Sequence, residues 1–451
     1  MPSQYTEFCI KPTGSNLNAG TLDGGSSDPG DSPAFEYASG DWDGATVFTV
    51  ASGDPSTDGV QVGQFASIYA DGSSTTGFVA KITAVSSTTI TVDGTAQSGT
   101  APGADTGNRT LRVGGAWAGP SGASSFVCPD TGDFHLCGVD IGPVRINVKG
   151  GTTYSHTAQV SLPARVIFQG YTTSYGDGGF ATFDHGANNI TAITGSGGVA
   201  ECLEVTGTAG IGFTQGNVYG SAYVKCRVSG CPTGFNSAGL LYQCEAYNCT
   251  TYGYNAVNHP IQCYAHSCGT GFRYHSSMTY GVLSHCVADS CTTGFDLHQG
   301  ASLVVNCDAY NCTNSGFANF YNSGQRTFVN CNAVKCGTGF NGYTAGTLGF
   351  YQMLNCGFGG GAYANTNDIG SSAGFYAEQI NCVTHETHPW FDPDNGDFRL
   401  VGGQSIGAGL NELLQSYNSK SGSVGTIDIG AIQSAPLGGL LRVGMNGGFG
   451  G

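Results

Sequence analysis

Cys263-Tyr264-Ala265-His266-Ser267-Cys268-Gly269-Thr270-Gly271-Phe272 is the stretch that decides the fold, because the chain repeats its frame on both sides. A cysteine is followed five residues later by another at Cys226/Cys231, Cys244/Cys249, Cys263/Cys268, Cys286/Cys291, Cys307/Cys312 and Cys331/Cys336. After each second cysteine comes glycine and then an aromatic residue, at Phe235, Tyr254, Phe272, Phe295, Phe317 and Phe340. Most units also hold an alanine two residues after the first cysteine: Ala246, Ala265, Ala288, Ala309 and Ala333. A spacing of two puts both side chains on one face of a strand. Successive first cysteines, up to Cys356, lie 18 to 25 residues apart. No unit holds the run of 3.6-residue periodicity that a helix needs. The object that fits is a coil of short strands with turns of adjustable length, stacked so that equivalent residues form ladders.

Composition agrees. Of 451 residues 75 are glycine and only 10% are charged, while 39% are hydrophobic. Disordered chains show the reverse balance. Lys+Arg is 15 against Asp+Glu 31, a net charge of −16 that repels phosphate backbones, so no nucleic-acid partner is expected. No apolar run reaches the ~18 residues of a membrane span, and Met1 to Phe8 has no signal-peptide pattern. No membrane partner is expected, and synthesis in the cytoplasm without a signal peptide is.

Working outward from the repeat, Phe8-Cys9-Ile10 through Thr21 and Asp392 through Leu400, with Gly407 to Gly409 and Asp428 to Ala431, are similar to the opening and closing segments of β-helix repeat proteins. With the cysteine repeat, they make the chain resemble the pectate-lyase-like family of right-handed parallel β-helices. The resemblance implies an all-β fold: a parallel β-helix solenoid with a small inserted N-terminal β-domain. Residues 1–34 are expected to form a first strand, cap and linker, and 35–112 a separate β-domain suited to attachment. Its strands are read at Thr46–Val50 and Phe65–Ala70, with a hairpin from Phe78 to Val92. Residues 113–143 connect it to the solenoid at 144–410, and 411–451 close the chain in a Gly-rich tail.

Each chemistry-bearing residue type also has a plain structural role. The paired cysteines carry too many intervening residues for usual zinc motifs. Stacked side chains pointing the same way bridge badly, so free thiols lining the core are expected. The Gly-aromatic rings are likewise read as core. The turn after each ring lengthens along the chain and carries Tyr274, His275, His298, Phe320, Tyr321 and Tyr343, an aromatic strip that could take up a glycan. His385-Glu386-Thr387-His388 lacks the helical spacing of a zinc site, and Asp392, Asp394 and Asp397 are read as turn residues. No metal and no cofactor are expected.

Enzymes of the resembled family need concentrated charge. Between Glu201 and Cys382 the acids are only Glu201, Glu204, Glu245, Asp289, Asp296, Asp308, Asp368 and Glu378. No two acids are adjacent, although carboxylates can converge from different coils. The reading preferred from sequence is therefore a non-catalytic structural or binding protein, similar to phage virion surface proteins (capsid decoration or tail-associated). In that reading residues 35–112 contact other virion or assembly proteins, the turns contact surface glycans, and the chain forms a homo-oligomer, a trimer above others. Two alternatives stand beside it: a polysaccharide lyase or glycoside hydrolase, and a cell-surface or filament protein.

Overall fold

The computed structural model describes residues 6–11, 32–71, 78–94, 102–114, 144–162 and 166–400. Within the last run, 196, 216–220, 238, 258, 275–279, 298–300, 319–325, 343–348, 360–363, 371–374, 381, 386–389 and 396 lie outside the description. The connection at 115–143 and everything after Leu400 also lie outside it.

From Val144 onward the chain visits three parallel sheets in rotation, so neighbours in a sheet are always one coil apart. The first sheet has 12 strands, the second 11 and the third 10. The coil that opens the quoted repeat shows the plan. Leu240–Tyr242 lies in the first sheet, Glu245–Tyr247 in the second and Tyr252–Asn255 in the third. Thr6–Ile10 pairs in parallel with Val144–Val148 and starts the first sheet before the chain leaves it. This is a parallel β-helix.

The corners of the coil explain where the cysteines stand. The residue before each first-ladder cysteine (Lys225, Gln243, Gln262, His285, Asn306, Asn330, Asn355) has φ between 50° and 56°. Before the second-ladder cysteines, Asn248, Ser267, Ser290, Asn311 and Lys335 also have positive φ. A left-handed residue turns the chain sharply between sheets, at about 1–2 kcal/mol for a residue with a Cβ. Asn tolerates it best, and the first-sheet corners become all Asn from Asn306 onward. Side chains at these corners also bond along the axis, with Gln243 Nε2 donating to Gln262 Oε1 at 3.0 Å and Asn306 Nδ2 lying 2.9 Å from His285 Nε2.

Inside, the ladders are continuous. Phe213, Phe235, Tyr254, Phe272, Phe295, Phe317 and Phe340 stack with centroids 4.4 to 5.0 Å apart and planes within 9°. Each such ring contributes about 1.5–3 kcal/mol by burial. The glycine before each ring is a steric requirement. A Cβ at Gly294 would come within 2.6 Å of the Gly316 carbonyl oxygen, with Cys312 Sγ at 3.1 Å and Ala288 Cβ at 3.3 Å. Glycine, alanine and cysteine thus share one narrow corner. Both sets of repeat cysteines are buried and free. Their thiols lie against carbonyls of two coils, as Cys331 Sγ does at 3.4 Å from Val304 O and Val329 O. Burial pushes the Cys244, Cys286, Cys307 and Cys356 thiols well above the usual range.

The second cysteine ladder ends at Cys336. Its own thiol keeps the pattern, buried and 3.7 and 3.4 Å from the Ala309 and Val334 carbonyl oxygens. The next rung is not a cysteine but Asn365. In lower coils the residue after each second-ladder cysteine donates its N–H to the cysteine carbonyl one coil below, as Gly337 does to Cys312. Thr366 does the same to Cys336, which puts Asn365 in the cysteine's place. Asn365 Oδ1 accepts from the Cys336 backbone N–H at 2.9 Å, and its Nδ2 donates to the Ala333 carbonyl oxygen at 2.9 Å. The physical reason is the end of the repeat. The segment from Gly357 to Asn365 lacks the five-residue cysteine spacing, and an amide can pair with backbone groups that a thiol holds only weakly. Cys336 is therefore the last thiol of its ladder, closed by an amide.

The segment at 35–112 folds as a closed antiparallel barrel of six strands between Phe35 and Val113. The hairpin is present, with Phe78–Val85 paired to Thr89–Val92. The barrel has its own core of Tyr37, Trp42, Phe48, Ile68, Phe78, Ile82, Ile90 and Leu111. It packs against the solenoid. Phe65 and Val79 belong to the solenoid core together with Phe8, Ile10 and Ile146, and the Phe65 and Phe8 rings meet edge-on at 5.1 Å. The barrel covers apolar residues of the first coils that a stack leaves open at its end.

Past the last coil, Trp390–Asp392 and Asp397–Leu400 form a hairpin that folds back over the outside of the second sheet. Trp390 and Phe398 bury Val287, Tyr310 and Val334 there.

Candidate functional site

The outward positions of the second sheet are the two residues flanking each inward alanine. Register places Glu204, Arg227, Glu245, Tyr264, Val287 and Asp308 in one row along the axis. The second row runs Thr206, Ser229, Tyr247, His266, Asp289 and Tyr310. Stacking brings together charges that are far apart in sequence. The Arg227 Nε is 3.0 Å from Glu245 Oε2, and His266 Nε2 is 3.2 Å from Glu245 Oε1. The Tyr247 hydroxyl donates to Glu204 Oε1 at 3.1 Å, and the Tyr264 hydroxyl donates to Asp289 Oδ2 at 3.0 Å. Ser290 Oγ donates to the other Asp289 oxygen at 2.8 Å.

The proton affinities of Glu245 and Asp289, one in the coil before His266 and one in the coil after, are shifted in opposite directions. Asp289 is only 9% exposed, and desolvation raises its pKa in spite of the two hydroxyl donors. Glu245 is lowered, first by its hydrogen bond from His266 and then by the Arg227 charge. The imidazole stacks with Tyr247 of the coil below (5.2 Å, 2°) and with Tyr264 on its own strand (4.9 Å, 25°). With the ring faces turned to each other, the strip offers edges, hydroxyls and charges rather than open aromatic faces. The C-terminal hairpin borders it: Asp394 Oδ1 accepts from the Tyr310 hydroxyl at 2.7 Å and lies 3.3 Å from Lys335 Nζ. Beyond the border a buried chain of contacts continues, with Asn332 Nδ2 donating to Asp308 Oδ1 at 2.8 Å and His385 Nε2 3.1 Å from Asn332 Oδ1.

Of the residues expected to form an aromatic strip in the turns, Tyr274 is the one among the described residues, and it is placed differently. Tyr274 does not face solvent: it is 1% exposed and belongs to the main core. The strand Thr270–Tyr274 runs two residues past the ring of Phe272, and a step of two keeps Tyr274 on the same inward face. His275, His298, Phe320, Tyr321 and Tyr343 lie outside the described residues. The repeat cysteines, Cys336 included, line the interior and take no part in the outer strip. Among the described residues no group of three or more His, Cys, Asp or Glu side chains is arranged to hold a metal ion. None of the described helices is long and apolar enough to cross a membrane.

No family model matches the chain, and no curated protein does. Among solved structures it is similar to pectate lyase Pel9A, at 15% identity over 69% of this chain and 93% of that one, with a TM-score of 0.36. It is also similar to the catalytic domain of a GH87 α-1,3-glucanase in complex with tetrasaccharides, at 12% identity over 83% and 95%, with a TM-score of 0.34. The strand pairing described above, and not these distant likenesses, defines the architecture.

Proposed function

We propose that the protein is a polysaccharide-cleaving β-helix enzyme, a glycoside hydrolase working on the outer face of the second sheet. Among the readings the sequence left standing, the observation that favours this one is the pair Asp289 and Glu245. Both serve the same outward strip on either side of His266, one driven toward its protonated form and the other toward its charged form. Carboxyls whose surroundings push their proton affinities apart are suited to acid and base roles. In this reading Asp289 gives its proton to the glycosidic oxygen as the C–O bond breaks. Glu245, steadied by Arg227 and His266, takes a proton from the water whose oxygen bonds to the anomeric carbon. The sugar hydroxyls meet the hydroxyls of Tyr247 and Tyr264 and donate to the carboxylate of Glu204.

The test is release of reducing ends from a panel of neutral and acidic polysaccharides. Asp289→Asn and Glu245→Gln should each lower kcat by about 10²–10⁴ while the melting temperature stays close to the parent. The rate should fall as pH drops far enough to protonate Glu245, and fall again as pH rises through the raised pKa of Asp289. Parent-like rates in both variants, or no shortened polymer in the panel, would remove the enzyme reading.

A second reading keeps the virion or other assembly role and is favoured by the end-on seat of the barrel. There the barrel joins the chain to a larger body while the solenoid projects. Incorporation of the protein into such an assembly after charge-reversal of the barrel surface, for example Glu36→Lys, checks it.

A further inference from the structure

A charged side chain is sealed inside the solenoid with no counter-charge beside it among the described residues. Arg326 opens the first-sheet strand Arg326–Val329. Phe328, two residues on, points into the core, so Arg326 shares the inward face. It is 1% exposed. One bond is present, from Nη2 to the Leu297 carbonyl oxygen at 3.2 Å. Nε and Nη1 are buried with no partner, and so is the hydroxyl of Tyr274, which is close enough to interact electrostatically with Arg326. Several other described cations have a carboxylate beside them: Arg227 with Glu245, Arg273 with Asp296 and Lys335 with Asp394.

An unpaired buried charge costs several kcal/mol. Burial lowers the Arg326 pKa only to about 10, so the side chain stays cationic at neutral pH. Among the described residues no carboxylate pairs with Arg326, and the segments that directly follow Tyr274 and Leu297 or precede Arg326 in sequence carry no acid. The sequences 275–279 (HSSMT), 298–300 (HQG), 319–325 (NFYNSGQ) and 343–348 (YTAGTL) contain no Asp or Glu. We infer that Arg326, the Tyr274 hydroxyl and the Leu297 end of the third sheet form an internal site for a small oxyanion, a carboxylate or inorganic phosphate. The unused donors are N–H and O–H groups, which suit oxygen acceptors. A bound anion would tie together the strand ends at Tyr274, Leu297 and Arg326, which come from three different coils.

The experiment uses the full chain dialysed into a buffer whose only anion is a bulky sulfonate, at constant ionic strength. Sodium acetate and sodium phosphate are then titrated separately, with melting temperature and calorimetric heat as readouts. The parent should show a saturable rise with one of them, and the identity of that salt separates carboxylate from phosphate. Arg326→Gln should lose the saturable response, and Tyr274→Phe, which keeps the ring, should raise the half-saturation concentration several-fold. If Arg326→Gln does not fold, Tyr274→Phe alone decides. An equal, unsaturable salt response in parent and variants, with no heat of binding, would overturn the site.

Discussion

The inside and the outside of the second sheet obey different rules although they share the same strands. Inward, most coils repeat their neighbour: alanine between two cysteines, with glycine and an aromatic ring on the adjoining sheet. Outward, the residues flanking that alanine change at every coil, from Glu245 and Tyr247 to Tyr264 and His266 to Val287 and Asp289. A position that must match the coil above and below has few solutions, because stacked neighbours approach to van der Waals contact. A position that meets solvent or a ligand has no such partner to copy. In this molecule the repeat carries architecture, and departures from it carry chemistry.

The sharpest way to break that division is to cut one rung of the interior. Phe295 lies between Phe272 and Phe317 at 4.9 and 4.7 Å and is fully buried. Phe295→Ala should cost about 3–5 kcal/mol in denaturant unfolding. On the outer strip, Tyr247→Phe removes one hydroxyl from a half-buried ring and should cost less than about 1 kcal/mol. Equal losses in the two variants would mean that the outer strip is part of the framework.

The repeat was legible because it is written in residues 18 to 25 apart that the eye can align. The site was not, for a physical reason. Glu245, His266 and Asp289 are separated by some 20 residues each and become neighbours only through the coil spacing of about 4.8 Å. Searching for adjacent acids passes over them. The available signal was the period of two: once Ala246, Ala265 and Ala288 are placed inward, their flanking residues must face out. The same rule, carried one step beyond Phe272, would have turned Tyr274 inward. The amide rung above Cys336 was hidden because Asn365 stands 29 residues on, outside the cysteine spacing. The left-handed corners were hidden too, since Lys225, Gln243 and Gln262 are not residue types that announce such a bend. The seating of the barrel on the first coils depends on Phe65 and Val79, which read in sequence as ordinary strand residues.

Solution pH sharpens the comparison from another direction. Among residues of the second sheet, His385 is 3% exposed, and burial lowers its pKa to about 4. His156, also buried, is lowered for the same reason. In the unfolded chain both titrate near 6.5, so between pH 6.5 and 4 the unfolded state binds more protons. Stability should therefore rise with pH across this window and be lost as pH falls through it. For His385 the loss is up to about 3 kcal/mol. Urea midpoints at pH 7.5 and 4.5 measure it. His385→Gln, which keeps a donor toward Asn332, should flatten the slope, and an unchanged slope would assign the acid sensitivity elsewhere.

The smallest expected effect concerns the one tyrosine in the aromatic column between Phe213 and Phe340. Tyr254 is fully buried, and its hydroxyl lies 2.7 Å from the Cys244 carbonyl oxygen and 3.1 Å from that of Tyr264. Tyr254→Phe makes its coil match its neighbours and leaves the stack intact. The Cys244 oxygen still accepts from the Tyr264 backbone N–H at 2.9 Å, so no orphan acceptor is created there. The cost should be about 0.5–1 kcal/mol. The reverse change, Phe272→Tyr, inserts a hydroxyl into a coil with no position prepared for it and should cost more, about 1–3 kcal/mol. If the two changes prove equally mild, the corner beside the rings is looser than the Gly, Ala and Cys contacts require. An asymmetry in the expected direction would mean that even the repeating interior is tuned coil by coil, down to a single oxygen atom.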